Sequence, residues 1–175
     1  MSQAERGCGN AEAPTQTNVF ESLTPAQIKE RCVALLKTAT DPEEILLLQR
    51  GVLQFTAYLN PDDVDGLYDI RIVERNKQRP VGEACTDYII GHGVDAQAFH
   101  DDMLANFTET EKPTPGAYAL YTQFGLIPKH IGRVTDNGTV ISKWGQGGHV
   151  YEHKPLMVPL SYGDTITYYS SPKIN

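Results

Sequence analysis

No stretch of this chain approaches the roughly 20 consecutive apolar residues that a membrane-spanning helix needs. The opening segment, MSQAERGCGNAEAPTQ, holds no apolar core of the kind a secretory signal peptide carries. Basic residues are in deficit: 15 Lys and Arg stand against 22 Asp and Glu, leaving a formal net charge of −7 and a pI near 5.2. Such a surface does not neutralise phosphates, so neither nucleic acid nor an anionic membrane is expected as a partner. Cysteine is scarce. Cys8, Cys32 and Cys85 form an odd, sparse set that makes no disulfide framework. That usage suits a reducing compartment, and with no export signal the expected location is the cytoplasm. The sequons at Asn106 and Asn137 are read as chance on the same ground.

What is present is ordinary for one globular domain: 175 residues, 40% apolar and 21% charged, long enough to bury a core. Residues 1–22 are small and polar and are expected as a flexible arm. Thr24-Pro25 supplies an N-cap and a first-turn proline. Ile28, Cys32, Leu35 and Leu36 then recur at helical spacing, with Cys32 on the apolar stripe as plain core. Asp41-Pro42-Glu43-Glu44 starts a second helix, whose run ILLLQRGVLQFTAYL reads as buried as far as Leu59. Asn60-Pro61-Asp62-Asp63 ends it. Residues 67–75 fit either a helix or a strand, and a polar loop follows to Pro80. Residues 23–80 are thus expected as a helical N-terminal region built on a hairpin.

From residue 81 the texture changes. Cys85 to Ile90 reads as the first turns of a helix that follows a loop, and Gly91-His92-Gly93 breaks it. Asp95 to Phe107 is helical, with Phe99, Met103 and Phe107 on one stripe, and 109–116 is a loop. Strands are expected at Ala117–Tyr121, His130–Thr135, Thr139–Trp144, His149–His153 and Thr165–Tyr169. Asp136-Asn137-Gly138 is a hairpin turn between the second and third of these. Helices first and an antiparallel meander after is an α+β plan.

A cysteine nucleophile needs a stabilised thiolate, which a helix start and a neighbouring imidazole can supply. Cys85 opens a helix and His130 opens a strand, so these two are the candidate catalytic residues. Their order resembles the papain-like cysteine enzymes of the NlpC/P60 kind. The carrying segments are Ala84-Cys85-Thr86-Asp87-Tyr88, Pro115-Gly116-Ala117-Tyr118-Ala119-Leu120-Tyr121 and His130-Ile131-Gly132-Arg133-Val134. The resemblance covers about residues 81–170. Ser142-Lys143-Trp144-Gly145 followed by His153 is also similar to uncharacterised bacterial domains of that type. The resemblance implies an α+β domain over 81–175, with an antiparallel sheet packed on the helix that bears the cysteine. It also implies amide chemistry with no cofactor.

Such enzymes place a third polar residue on the strand after the histidine. A three-residue turn over Asp136–Gly138 puts Ser142 and Trp144 on the face of His130, whereas a two-residue Asn137-Gly138 turn puts Lys143 there. Ser142 is the candidate orienter, with His149 or His153 reaching in from the next strand as alternatives. Trp144 and His153 are the candidate substrate-contacting residues. His149, Tyr151 and His153 share a strand face, but two histidines without further ligands make no metal site, and none is expected. His92 and His100 read as solvated surface. Gly145-Gln146-Gly147-Gly148 lacks the helix and the Lys-Ser/Thr of a phosphate loop and reads as a mobile turn. Asp62, Asp63 and Asp65 lack the spacing of a calcium loop. The expected function is a cysteine-dependent amide hydrolase, deamidase or acyl transferase acting on a peptide, protein or other amide. The alternative is a binding or structural module on the same scaffold with an inactive site.

Overall fold

A computed structural model describes residues 23–75, 85–91, 95–145 and 148–172. The arm over 1–22, most of the loop before Cys85, the centre of the Gly91-His92-Gly93 break and Gln146-Gly147 lie outside the described residues. Helix α1 (Pro25–Leu36) starts where the cap chemistry places it. The Thr24 hydroxyl accepts from the Gln27 N–H, and the Gln27 side chain accepts from the Thr24 N–H, a reciprocal capping box. Helix α2 (Pro42–Leu59) is capped by Asp41, whose carboxylate accepts from the Glu43 N–H at 2.9 Å. Its apolar run is buried on one side only. Arg50, Val52, Leu53 and Thr56 are inside, while Leu47, Tyr58 and Leu59 are exposed. Cys32 is half-buried rather than plain core, and no residue of α1 is fully buried. Its Sγ lies 3.2 Å from where a Cβ on Gly51 would sit, so glycine lets α1 and α2 approach there. Among the described residues no helix is long and apolar enough to cross a membrane.

The remaining chain forms helices α3 (Cys85–Ile90) and α4 (Ala96–Asn106) and seven strands. These are β1 (Arg71–Glu74), β2 (Phe107–Thr110), β3 (Tyr118–Gln123), β4 (Ile127–Val134), β5 (Val140–Lys143), β6 (Val150–His153) and β7 (Thr165–Pro172). They make one sheet in the order β1-β6-β5-β4-β3-β7-β2, every pairing antiparallel. The protein is therefore helix plus antiparallel sheet, an α+β fold. At one edge the structure decides a reading the sequence left open, and at the other it departs from the expectation. Residues 67–75 form a 3₁₀ turn at Leu67–Asp69 and then β1, which pairs with β6, so the stretch 23–80 also supplies a strand. The helical stripe stops at Asn106, and Phe107 caps α4 and opens β2 against β7. Pairing with β7 satisfies the backbone of 107–110, which a loop would have left to water.

Side chains alternate between two covered faces. Ala119, Tyr121, Val134, Val140, Tyr151 and Tyr168 point to the α2 side, where they meet Leu53, Val64 and Val158. Leu120, Ile131 and Tyr169 point to the other side, where they meet Met103 of α4 and, at its margin, Cys85 and Ile89 of α3. Helix α3, with Cys85 as its first residue, packs on β4 and β5. The far face is closed by an edge-to-face trio of Phe99, Phe107 and Tyr118, with centroids 5.3–6.3 Å apart.

The β4–β5 hairpin uses the three-residue loop. Val134 pairs with Val140, the Thr135 N–H reaches the Thr139 carbonyl, and Gly138 takes φ +75°. This register sets Gly132 against Ser142. A Cβ on Gly132 would fall 2.4 Å from Val140 Cγ1, 3.0 Å from the Ile141 carbonyl oxygen and 3.1 Å from Ser142 Cβ. Gly132→Ala is therefore expected to destabilise the fold by roughly 1–3 kcal/mol through overpacking. A thermal melt checks this, and an unchanged midpoint would show that β5 does not approach so closely.

Candidate functional site

Cys85 is half-buried at the start of α3 and packs beside Met103, Leu120, Ile131 and Tyr169. It borders a cavity of about 110 Å³ between α3, α4 and the start of β4. The floor is apolar, from Phe99, Met103, Leu120 and Ile131. The groups able to do chemistry there come from Cys85, Thr86, His100, Lys129 and His130.

His130 enters from β4 at an irregularity. Tyr121 pairs with His130 while Thr122 pairs with Pro128, so Lys129 is the extra residue of a bulge, a device that re-aims neighbouring side chains. The His130 ring is buried. It stacks on Tyr162 with centroids 4.0 Å apart and planes 12° from parallel, and its centroid is 5.5 Å from that of Tyr121. This places the ring on the α2 face, whereas Cys85 packs on the α4 face; both residues border the cavity where β4 begins. Nε2 of His130 is buried with no hydrogen-bond partner among the described residues. Desolvation, aided by nearby His153, holds the pKa of the ring well below its ordinary 6.5. The ring is thus neutral at neutral pH, and the imidazolium half of a thiolate–imidazolium pair is disfavoured in this environment.

The stack depends on α2. Buried Arg50 donates from Nε to the Val158 carbonyl at 3.0 Å and from Nη2 to the carbonyls of Pro159 and Gly163. These three bonds pin the turn that carries Tyr162. Burial raises the phenol pKa, so Tyr162 stays neutral.

Ser142, Trp144 and His153 form a directed chain on the same face. A carbonyl only accepts, so His153 carries its proton on Nδ1 and donates to Lys154 at 2.8 Å. Its Nε2 must then accept from the Ser142 hydroxyl, at 2.8 Å. The Ser142 oxygen in turn accepts from Trp144 Nε1–H at 3.0 Å. Every polar atom is satisfied, which is what allows the chain to be buried. Desolvation pushes the His153 pKa down to about 4. Ser142 shares the His130 face but bonds His153 and Trp144 instead of orienting His130. His153 is 1% exposed with both ring nitrogens engaged, so in this structure it is an internal group. Trp144 is buried against Tyr151 at 4.4 Å. It borders a second cavity of about 160 Å³ that it shares with Gln54, Tyr58 and Tyr162. His149 lies 3.2 Å from Asp62, away from the Cys85 cavity. Lys143 is buried on the opposite face, paired with Val150. Among the described residues no group of three or more His, Cys, Asp or Glu is placed to hold a metal ion.

Sequence reasoning missed three participants. His100, read as surface, borders the Cys85 cavity; it stands three residues before Met103, a spacing that puts both on one helix face. Arg50 stands out in the sequence as a lone cation within an apolar run. For Tyr162 no local signal exists, because its role comes entirely from the stack.

The depressed imidazoles of His130, His149 and His153 predict an acid limb in stability. The unfolded chain takes up protons near pH 6.5, and the folded chain does so only at lower pH. The stability contributed by keeping the rings neutral is complete above 6.5 and is lost as pH falls toward the folded values. For His153 alone the loss is on the order of 3 kcal/mol by about pH 4. Urea midpoints across this range should fall for the wild type, while His153→Gln should start lower at neutral pH and decline less steeply. Parallel declines would contradict the assignment. Comparison with known proteins adds nothing to this geometry: no family model, curated protein or solved structure matches the chain.

Proposed function

We propose that the protein is a cysteine-dependent amide hydrolase, deamidase or acyl transferase whose nucleophile is Cys85 and whose base is His130. One observation carries the reading: Cys85 and His130, whose buried Nε2 has no partner among the described residues, border the same small cavity. A buried nitrogen without a partner is unfavourable for folding by roughly 1–3 kcal/mol, and a proton-accepting role is a reason for it to persist. The Cys85 sulfur attacks the carbonyl carbon of the amide, and its proton passes to Nε2 of neutral His130. Because ring and thiol pack on different faces, this transfer runs through a water at the start of β4 or needs the ring to leave the Tyr162 stack. The backbone N–H of Cys85 faces the developing oxyanion. The apolar floor accepts an apolar group next to the reacting carbonyl, consistent with a peptide, protein or other amide substrate. The order Cys85, Gly116-Ala117-Tyr118 and His130-Ile131-Gly132 supports the same reading through its similarity to papain-like NlpC/P60 enzymes.

A second reading has its own observation. The Cys85 side chain packs in an apolar cluster, and the His130 ring is neutral, stacked and on the far face. That arrangement suits a binding module with an inactive site. Reaction with p-nitrophenyl acetate separates the two. The enzyme reading expects a burst of nitrophenolate with one acetyl group on Cys85, seen by mass spectrometry. The adduct should vanish in Cys85→Ala and form about 10²- to 10⁴-fold more slowly in His130→Ala. A folded protein that takes no acetyl group on Cys85 would leave only the binding module.

A further inference from the structure

Four histidines lie among the described residues, and the structure sorts them by what their nitrogens already do. His153 has both engaged, and His149 lies against Asp62 away from the Cys85 cavity. His130 and His100 remain, and both border that cavity. They differ in every other respect. The His130 ring is wholly buried on the α2 face, whereas His100 is presented by α4, the helix that packs on the same side of the sheet as Cys85. His100 follows Phe99 and precedes Met103 by three residues, and both of these pack in the Cys85 cluster. Its side chain is 13% exposed, so it meets both the cavity and solvent. Its Nδ1 lies 3.4 Å from the Asp101 carboxylate, its only polar contact among the described residues. A carboxylate only accepts, so the Nδ1 proton faces Asp101 and Nε2 is left for a ligand or water.

We propose that His100 is a second catalytic residue of this cavity, the general acid that protonates the leaving group while His130 takes the proton of the thiol. The proposal rests on the reading of Cys85 as nucleophile. Two imidazoles in contrasting surroundings suit the two tasks. Desolvated His130 is held in the neutral, accepting form, and His100 stands where the cavity meets solvent. In the first step the S–C bond forms, the thiol proton goes to His130, the C–N bond breaks, and the leaving nitrogen takes a proton from Nε2 of protonated His100. The products are a thioester on Cys85, a free amine, His130 charged and His100 neutral. In the second step water attacks the thioester and gives a proton to His100. The departing sulfur recovers its proton from His130. Both rings return to their starting states, and no outside acid, base or oxidant is needed.

The test uses the full chain and a series of aryl acetates running from p-nitrophenyl to unsubstituted phenyl. Leaving-group assistance matters more as the departing phenolate becomes more basic. Acetylation of Cys85 by wild type, His100→Gln and His100→Asn is followed by mass spectrometry. The deficit of both His100 variants should deepen by about 10- to 100-fold from the p-nitrophenyl to the phenyl ester. His130→Ala should instead lose a similar factor along the whole series. A His100 deficit that is uniform across the series, or absent, overturns the proposal; if Cys85→Ala still abolishes the adduct, the Cys85 reading survives it. An adduct that persists in Cys85→Ala overturns both.

Discussion

The structure turns on one constraint: an imidazole enclosed by a sheet with both faces covered is uncharged in the resting protein. His130 and His153 sit on the α2 face beneath Tyr162, Tyr121 and Trp144, and among the described residues no carboxylate bonds to them. For His153 the pull of the Glu152 carboxylate does not offset the loss of water. Neutrality then dictates the rest. It forces the His153 tautomer, which directs the Ser142 hydroxyl, which receives the indole N–H of Trp144. It also disfavours His130 as the charged partner of a thiolate, so the chemistry proposed for Cys85 is written as general-base transfer.

The N-terminal half, which carries no reactive constellation of its own, acquires a part through the same constraint. Arg50 of α2 reaches across more than a hundred residues of sequence to hold the carbonyls of Val158, Pro159 and Gly163. That turn presents Tyr162, and Tyr162 covers His130. The desolvation that keeps His130 neutral is thus partly imposed by a helix laid down far earlier in the chain. Strand β1 binds the same half to the sheet through β6, with the Arg71–Glu152 ion pair alongside. The helical hairpin is part of one folded body with the sheet.

Local chemistry made much of this architecture legible in the sequence. Thr24 and Asp41 marked helix starts because a side-chain acceptor at an N-cap leaves a short-range pattern. Asp136-Asn137-Gly138 marked the hairpin and limited its register to two choices, one of which set Ser142 and Trp144 on the His130 face. Strand alternation reports which face a residue takes and not what covers that face. Hence Ser142, Trp144 and His153 were visible as neighbours, while the hydrogen bonds that join them were not. Residues 67–75 stayed open between helix and strand, and Phe107–Thr110 escaped, because four-residue strands are defined by their partners, β6 and β7, more than by their own composition. His100 escaped because a histidine beside Asp101-Asp102 looks solvated until α4 is laid on the sheet.

The neutrality of the buried rings is the claim on which both stability and mechanism turn, and imidazole nitrogen chemical shifts measure it directly. In a nuclear magnetic resonance titration the account predicts that His130 and His153 remain uncharged at pH values where exposed histidines are already protonated. His153 should keep its proton on Nδ1 and take a second only near about pH 4. Either ring gaining charge near 6.5, or His153 carrying its proton on Nε2, would contradict it.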